Sequence, residues 1–113
     1  MVESPFDVEI VVGEVVRAEA FPEARKEYMT KLWIDLGEEH GTVQSAGQHD
    51  YHYDPEELVG RQVLCATTLG SVRIAGFKSE VLTVGVPSED GYPVLVTPDP
   101  ALEDAIPLGG TMY

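Results

Sequence analysis

A single stretch of this chain reads as helix, and it is barely two turns long. Asp54 suits an N-cap, Pro55 the first helical position, Glu57 the reciprocal partner of that cap, and Gly60 the stop. Elsewhere the apolar residues recur with period two, which is the mark of half-buried strands. Phe6, Val8, Ile10 and Val12 alternate with Asp7 and Glu9, and 14–18 carries the strand past Gly13. A glycine inside a strand marks a bulge or a sharp bend, as the corners of small barrels require. A loop over 21–26 precedes a second strand, with Tyr28, Thr30, Leu32, Ile34 and Leu36 on one face. Met29, Lys31, Trp33 and Asp35 take the other face. Further strands are expected at 42–45 (ending at Ala46-Gly47), 62–68, 81–86 and 92–97, with Pro98, Pro100 and Pro107 holding the tail extended.

Three strands, one short helix, then two or three strands is the order of an OB-fold, an all-β five-stranded barrel. The expected organisation is one domain over 1–113, with the barrel at about 6–97 and short terminal extensions. Hydrophobic residues at 43% and charged ones at 24% are globular proportions. No run of 18 apolar residues occurs, and the acidic N-terminus lacks the basic and apolar regions of a signal peptide. A cytoplasmic protein is the expectation. Cys65 is alone in an apolar run, so it has no disulfide partner in the chain and no neighbour to activate it.

Twenty acidic against seven basic residues give a net charge of −13, the opposite of the usual nucleic-acid footprint. The acids are scattered, and only Lys26, Lys31 and Lys78 are lysines, a pattern like that of a halophile's soluble protein. At ~1 M salt the Debye length is about 3 Å, so this charge then reports the solvent rather than the partner.

The turn-rich insert between 68 and 81 carries Arg73, Lys78 and Glu80 as its charges, with glycines at 70 and 76 that let backbone approach a ligand. Arg73 can fork onto a phosphate or stack on a base, Lys78 can neutralise another phosphate, and Ser79 can offer a hydroxyl. A plain solvated loop accounts for the same residues. Arg25 and Lys26 form the one adjacent basic pair, flanked by Glu23 and Glu27, which can consume both charges locally. Gln48 can reach a base edge or simply face water. His49, Asp50, His52 and Asp54 have metal-ligand chemistry, but they sit on a loop and Asp54 is better explained as the cap, so no metal is expected. Tyr51 and Tyr53 can stack on bases or pack over the helix, and Trp33 is a stacking platform, a subunit contact or a cover for the barrel. Phosphate cradles, nucleophile elbows and paired catalytic carboxylates do not occur, so neither an enzyme nor a cofactor is expected.

The segment Arg73-Ile74-Ala75-Gly76-Phe77-Lys78-Ser79-Glu80-Val81-Leu82 resembles the basic-X-X-Gly-X-X-Ser-X-X-hydrophobic loop of the tRNA-binding domain family. That family includes free-standing structure-specific tRNA-binding proteins, the C-terminal appendage of some methionyl-tRNA synthetases, and CsaA-type export-related chaperones. Four further places match: Val12-Gly13-Glu14-Val15, Pro22-Glu23-Ala24-Arg25-Lys26, Pro55-Glu56-Glu57-Leu58-Val59-Gly60 and Val96-Thr97-Pro98-Asp99. The second of these, with Phe77-Lys78-Ser79-Glu80-Val81-Leu82, is closer to CsaA than to the synthetase appendage. The resemblance implies a free-standing, non-catalytic homodimer that recognises folded tRNA by shape and backbone contacts. Its RNA-binding residues would be Arg25, Lys26, Ser45, Gln48, Arg73, Gly76, Lys78 and Ser79 around one groove. Leu102, Ile106 and Leu108, in the tail 98–113, would dock on the partner subunit. The resemblance also leaves open a chaperone for unfolded preprotein segments, or a module acting in trans on an aminoacyl-tRNA synthetase.

Overall fold

The structure, a computed structural model, describes residues 7–113. Its long first strand, β1 (Ile10–Ala20), is rich in β-branched residues and serves two neighbours at once. The half from Ile10 to Glu14 pairs antiparallel with β4 (Gln62–Ala66), and the half from Glu14 to Ala20 pairs with β2 (Thr30–Asp35). β3 (Thr42–Gly47) continues the sheet beyond β2, and β7 (Leu82–Thr83) continues it beyond β4. The result is a five-stranded, antiparallel, nearly closed barrel of the OB type, as the order of elements predicts.

β1 changes partner at Glu14, next to the glycine that the sequence singles out, but its irregularity lies further on. The register shift falls between Val15 and Arg17, so the bulge is at Val16 rather than at the glycine. Gly13 is needed for space. A Cβ there would lie 2.5 Å from Leu36 Cδ2, 2.6 Å from Ile34 Cγ2 and 2.9 Å from the Asp35 carbonyl oxygen. The end of β2 folds directly over this point of β1.

Polar groups close the remaining seam between β3 and the segment entering β7. Glu80 N–H donates to the Gln44 carbonyl at 2.8 Å, and Gln44 N–H donates to Glu80 Oε1 at 3.0 Å. Ser45 Oγ donates to the Val81 carbonyl at 3.0 Å, Thr83 Oγ1 donates to Ser45 Oγ at 2.9 Å, and Ser79 Oγ accepts from Ala46 N–H at 3.1 Å. Inside lie Val11, Val15, Leu32, Ile34, Val63, Cys65, Val81 and Leu95. Leu58, fully buried, plugs the end from α1 (Pro55–Leu58). That helix starts as expected, with the Glu57 carboxylate accepting the Asp54 N–H at 3.1 Å, and Gly60 leaves it at φ +91°. Truncating Ser45→Ala removes the shorter of two hydroxyl bonds to the Val81 carbonyl, leaving it Ser79 Oγ at 3.4 Å, and takes the acceptor from Thr83 Oγ1. We expect a loss of about 1–3 kcal/mol, read as a lower urea midpoint at unchanged m-value.

Several boundaries move. Phe6 lies outside the described residues, and β1 begins at Ile10 rather than at 6. Tyr28 is not in β2; it adopts a left-handed conformation (φ +61°) just before it, and Met29 is buried instead of outward. The strand expected at 81–86 is split into β7 and β8 (Gly85–Pro87), and β8 forms a hairpin with β9 (Pro93–Leu95). The tail is not simply extended. It makes a 3-10 turn at Pro100–Ala105 and then runs back along β1, where Met112 N–H donates to Ile10 O and Val12 N–H to Gly110 O. Ile106 and Leu108 are half-buried within the same chain, whereas Leu102 stays 59% exposed.

Candidate nucleic-acid interface

Two projections from the barrel face each other across the start of β2 and the end of β3. The first is the loop between β1 and β2. Phe21, although it reads as part of a polar loop, is 3% exposed and anchors this loop, its N–H donating to Met29 O at 2.9 Å. Arg25 and Lys26 are lifted into solvent on the loop. Among the described residues neither forms an ion pair, so Glu23 and Glu27 do not consume the two charges.

The second projection is a hairpin of β5 (Val72–Ile74) and β6 (Phe77–Ser79). Its two-residue turn places Ala75 at φ +46° and Gly76 at φ +83°, the pair of left-handed residues that a type I′ hairpin demands. The turn itself thus accounts for Gly76. Phe77 clamps the hairpin to the barrel, edge-on to Trp33 at 5.5 Å and to Phe21 at 5.7 Å. Lys31 Nζ lies 4.7 Å from the Phe21 ring centre, and the Arg17 guanidinium lies 4.4 Å from that of Trp33. Trp33 is therefore a covered anchor for the hairpin, not an open stacking platform.

Between the projections runs a groove of about 660 Å³ whose lining includes Arg25, Lys26, Met29, Gln48, Arg73 and Ile74. Three of the chain's seven basic residues line it, against Glu23 as its one acid, so the local charge opposes the net charge. Gln48 Nε2 donates to the Glu27 carbonyl at 3.0 Å, which leaves its side-chain oxygen as the free end. Arg73 Nη1 reaches back to the Gly76 carbonyl at 3.3 Å, a long bond that holds the fork over the hairpin. Lys78 is exposed and stands opposite Arg73 in the β5–β6 ladder, outside the groove lining. Ser45 and Ser79 are 1% and 7% exposed, and their hydroxyls are spent on closing the barrel beneath the groove. Met29 and Ile74, its large apolar members, are not marked as site residues by the sequence. Ile74 carried a signal in the Ala-Gly pair that follows it, whereas Met29 carried none.

The segment after β3 does not gather metal ligands. His49 points inward, 2% exposed, and burial depresses its pKa to about 4; its Nδ1 has no hydrogen-bond partner. His52 turns outward, 2.9 Å from Ser88 Oγ. Tyr51 lies on the Tyr92 ring at 4.1 Å, and its hydroxyl donates to Asp90 Oδ2 at 2.8 Å. Tyr53 packs against the core, its hydroxyl accepting the Leu95 N–H at 3.1 Å. Burial pushes the Cys65 thiol up to about 12, out of reach of nucleophilic chemistry at neutral pH.

The family model for the tRNA binding domain matches residues 10–106. The chain belongs to the tRNA-binding domain family. Over 92 residues it is 36% identical to the methionine–tRNA ligase of Methanocaldococcus jannaschii, covering 81% of this chain and 14% of the ligase. Among solved structures, chaperone CsaA of Bacillus anthracis str. Ames superposes with a TM-score of 0.82 at 35% identity, covering 94% of this chain and 91% of CsaA. The CsaA chaperone protein of Picrophilus torridus gives 0.82 at 30%, covering 95% and 92%. This tRNA-binding domain is thus CsaA-like across nearly its whole length, and it spans about a seventh of the ligase. Among its described residues no helix is long and apolar enough to cross a membrane.

Proposed function

We propose that this domain is a non-catalytic tRNA-binding module that works as a homodimer and holds folded tRNA by shape and backbone contacts. The convergence of Arg25, Lys26 and Arg73 on one groove, in a chain of net charge −13, carries the reading. Two cations on a loop and one on a braced hairpin can engage phosphates on both sides of a rigid slot, with Lys78 beside it. The oligonucleotide-binding surface of OB-folds in general lies on this same face, between the first loop and the insert before the last strand. The anionic remainder suits concentrated salt, where its repulsion is screened. Exposed Leu102, Val86 and Val94 offer apolar surface to a second copy.

A second reading, a chaperone that binds unfolded preprotein segments, draws on Met29 and Ile74 in the groove and on the CsaA likeness. Salt separates the two. Phosphate contacts release counterions, so tRNA affinity should fall with a log–log slope of about −2 to −3 for three contacts. Arg73→Ala should reduce that slope by about 1. Apolar capture of a peptide instead persists or strengthens in kosmotropic salt. Titrating labelled tRNA and a labelled apolar preprotein segment from 50 mM to 1 M salt measures both. A salt-insensitive complex with peptide and none with tRNA would reverse the assignment.

A further inference from the structure

Beside the groove, and sharing Arg25, Lys26 and Met29 with it, opens a recess of about 270 Å³ that Phe21, Tyr28 and Asp50 complete. Tyr28 enters it in a conformation that sterics disfavour for an aromatic residue, at φ +61°. Its carbonyl accepts the Asp50 N–H at 3.0 Å, so the strained residue and the acid are fixed to each other. Its ring centre lies 5.1 Å from Tyr51 and 5.3 Å from Tyr92, which are themselves only 4.1 Å apart. From those distances Tyr28 stands alongside the Tyr51–Tyr92 stack and does not cap it. Tyr28 and Tyr51 remain 42% and 38% exposed. Among the described residues the Asp50 carboxylate makes no ion pair, and no hydrogen bond to it is seen.

We propose that this recess takes one unpaired guanine of the bound RNA, stacked on Tyr28 with its Watson–Crick edge on Asp50. The inference rests on the tRNA-binding reading above and names the part of the RNA that is read. A carboxylate only accepts hydrogen bonds, so it selects an edge with two adjacent donors. Guanine presents N1–H and the N2 amino group side by side. Adenine and cytosine alternate a donor with an acceptor, and uracil sets its one N–H between two acceptors. Stacking on tyrosine supplies affinity without discrimination, and the carboxylate supplies the choice. Arg25 and Lys26 at the same recess meet the phosphate of that nucleotide, with Glu27 the second acid in the lining.

The test is fluorescence anisotropy of labelled uridine heptamers with guanine, inosine or adenine at the centre, with folded tRNA titrated in parallel. Wild type should bind the guanine heptamer about tenfold tighter than the adenine one, as a bidentate base contact gives, and inosine, which lacks the N2 amino group, should fall between. Asp50→Asn should equalise guanine and adenine. Tyr28→Asn, which tolerates the left-handed backbone, should weaken every heptamer by about tenfold with the guanine preference intact. Circular dichroism melts establish that both variants are folded. Equal binding of guanine and adenine by wild type, or a preference that survives Asp50→Asn, overturns the proposal. If tRNA binds without a guanine preference, this inference alone fails; if no RNA binds, it fails together with the reading beneath it.

Discussion

Between pH 7 and pH 5 the folded protein should lose about 2 kcal/mol of stability through His49 alone. Burial lowers the pKa of this imidazole from 6.5 to about 4. In the unfolded chain it takes up a proton near pH 6.5, and in the folded barrel only near pH 4. The unfolded state therefore binds more protons throughout that window, and stability falls as pH falls through it. Over the whole window the loss reaches about 3 kcal/mol. Few carboxylates titrate above pH 5, so the upper part of the window isolates the histidine. His49→Leu, of similar volume and without the orphaned Nδ1, should be nearly as stable at pH 7 and should flatten the pH 7-to-5 slope. Urea midpoints of the two proteins at several pH values measure this. An unchanged slope in the variant would remove His49 as the cause. The consequence reaches the site, because His49 is the buried foot of the turn that presents Gln48, Asp50 and Tyr51.

Gly13→Ala should cost about 3 kcal/mol, at the upper end for overpacking, because the new Cβ meets two core side chains and a backbone carbonyl below 3 Å. The Asp35 carbonyl cannot swing aside without opening the ladder between β1 and β2. Val16→Ala, at the bulge and 45% exposed, is the matched control and should change stability by less than about 0.5 kcal/mol. Equal melting temperatures for Gly13→Ala and wild type would mean that the barrel corner has slack that the structure does not show.

These residues also mark how far the sequence could be read. Gly13 announced a corner because a glycine amid β-branched residues weakens a strand unless the backbone there must bend or pack closely. Nothing local distinguished a bulge from a close approach. Asp54, Pro55 and Glu57 gave the helix start because capping is local chemistry within four residues. The alternation through Leu32 and Ile34 survived because both face one core. Tyr28 continued that alternation and misled, since a left-handed residue leaves no trace in period two. Phe21 was lost in its loop because one aromatic has no periodic neighbours.

The site divided along the same line. Arg25, Lys26, Gln48 and Arg73 could be named from residue type, but their convergence is tertiary, set by Phe77 clamping the hairpin to Trp33. Ser45 and Ser79 were hydroxyls of the right type. Their burial follows from a seam between strands more than thirty residues apart, as the Ser45–Val81 bond shows. Asp50 and Tyr92, from different elements, come together around Tyr51 and Tyr28 only in the fold.

The most direct measurement is the anisotropy of labelled folded tRNA titrated with wild type and with an Arg25→Ala/Lys26→Ala/Arg73→Ala variant. Potassium chloride should run from 50 mM to molar, with the fold and the oligomeric state of both proteins checked at each step. The groove reading requires wild type to bind and the variant, folded and equally assembled, to bind at least about tenfold more weakly, as the loss of charged hydrogen bonds entails. A variant that binds as tightly as wild type, or a wild type that binds tRNA at no salt concentration, would contradict it.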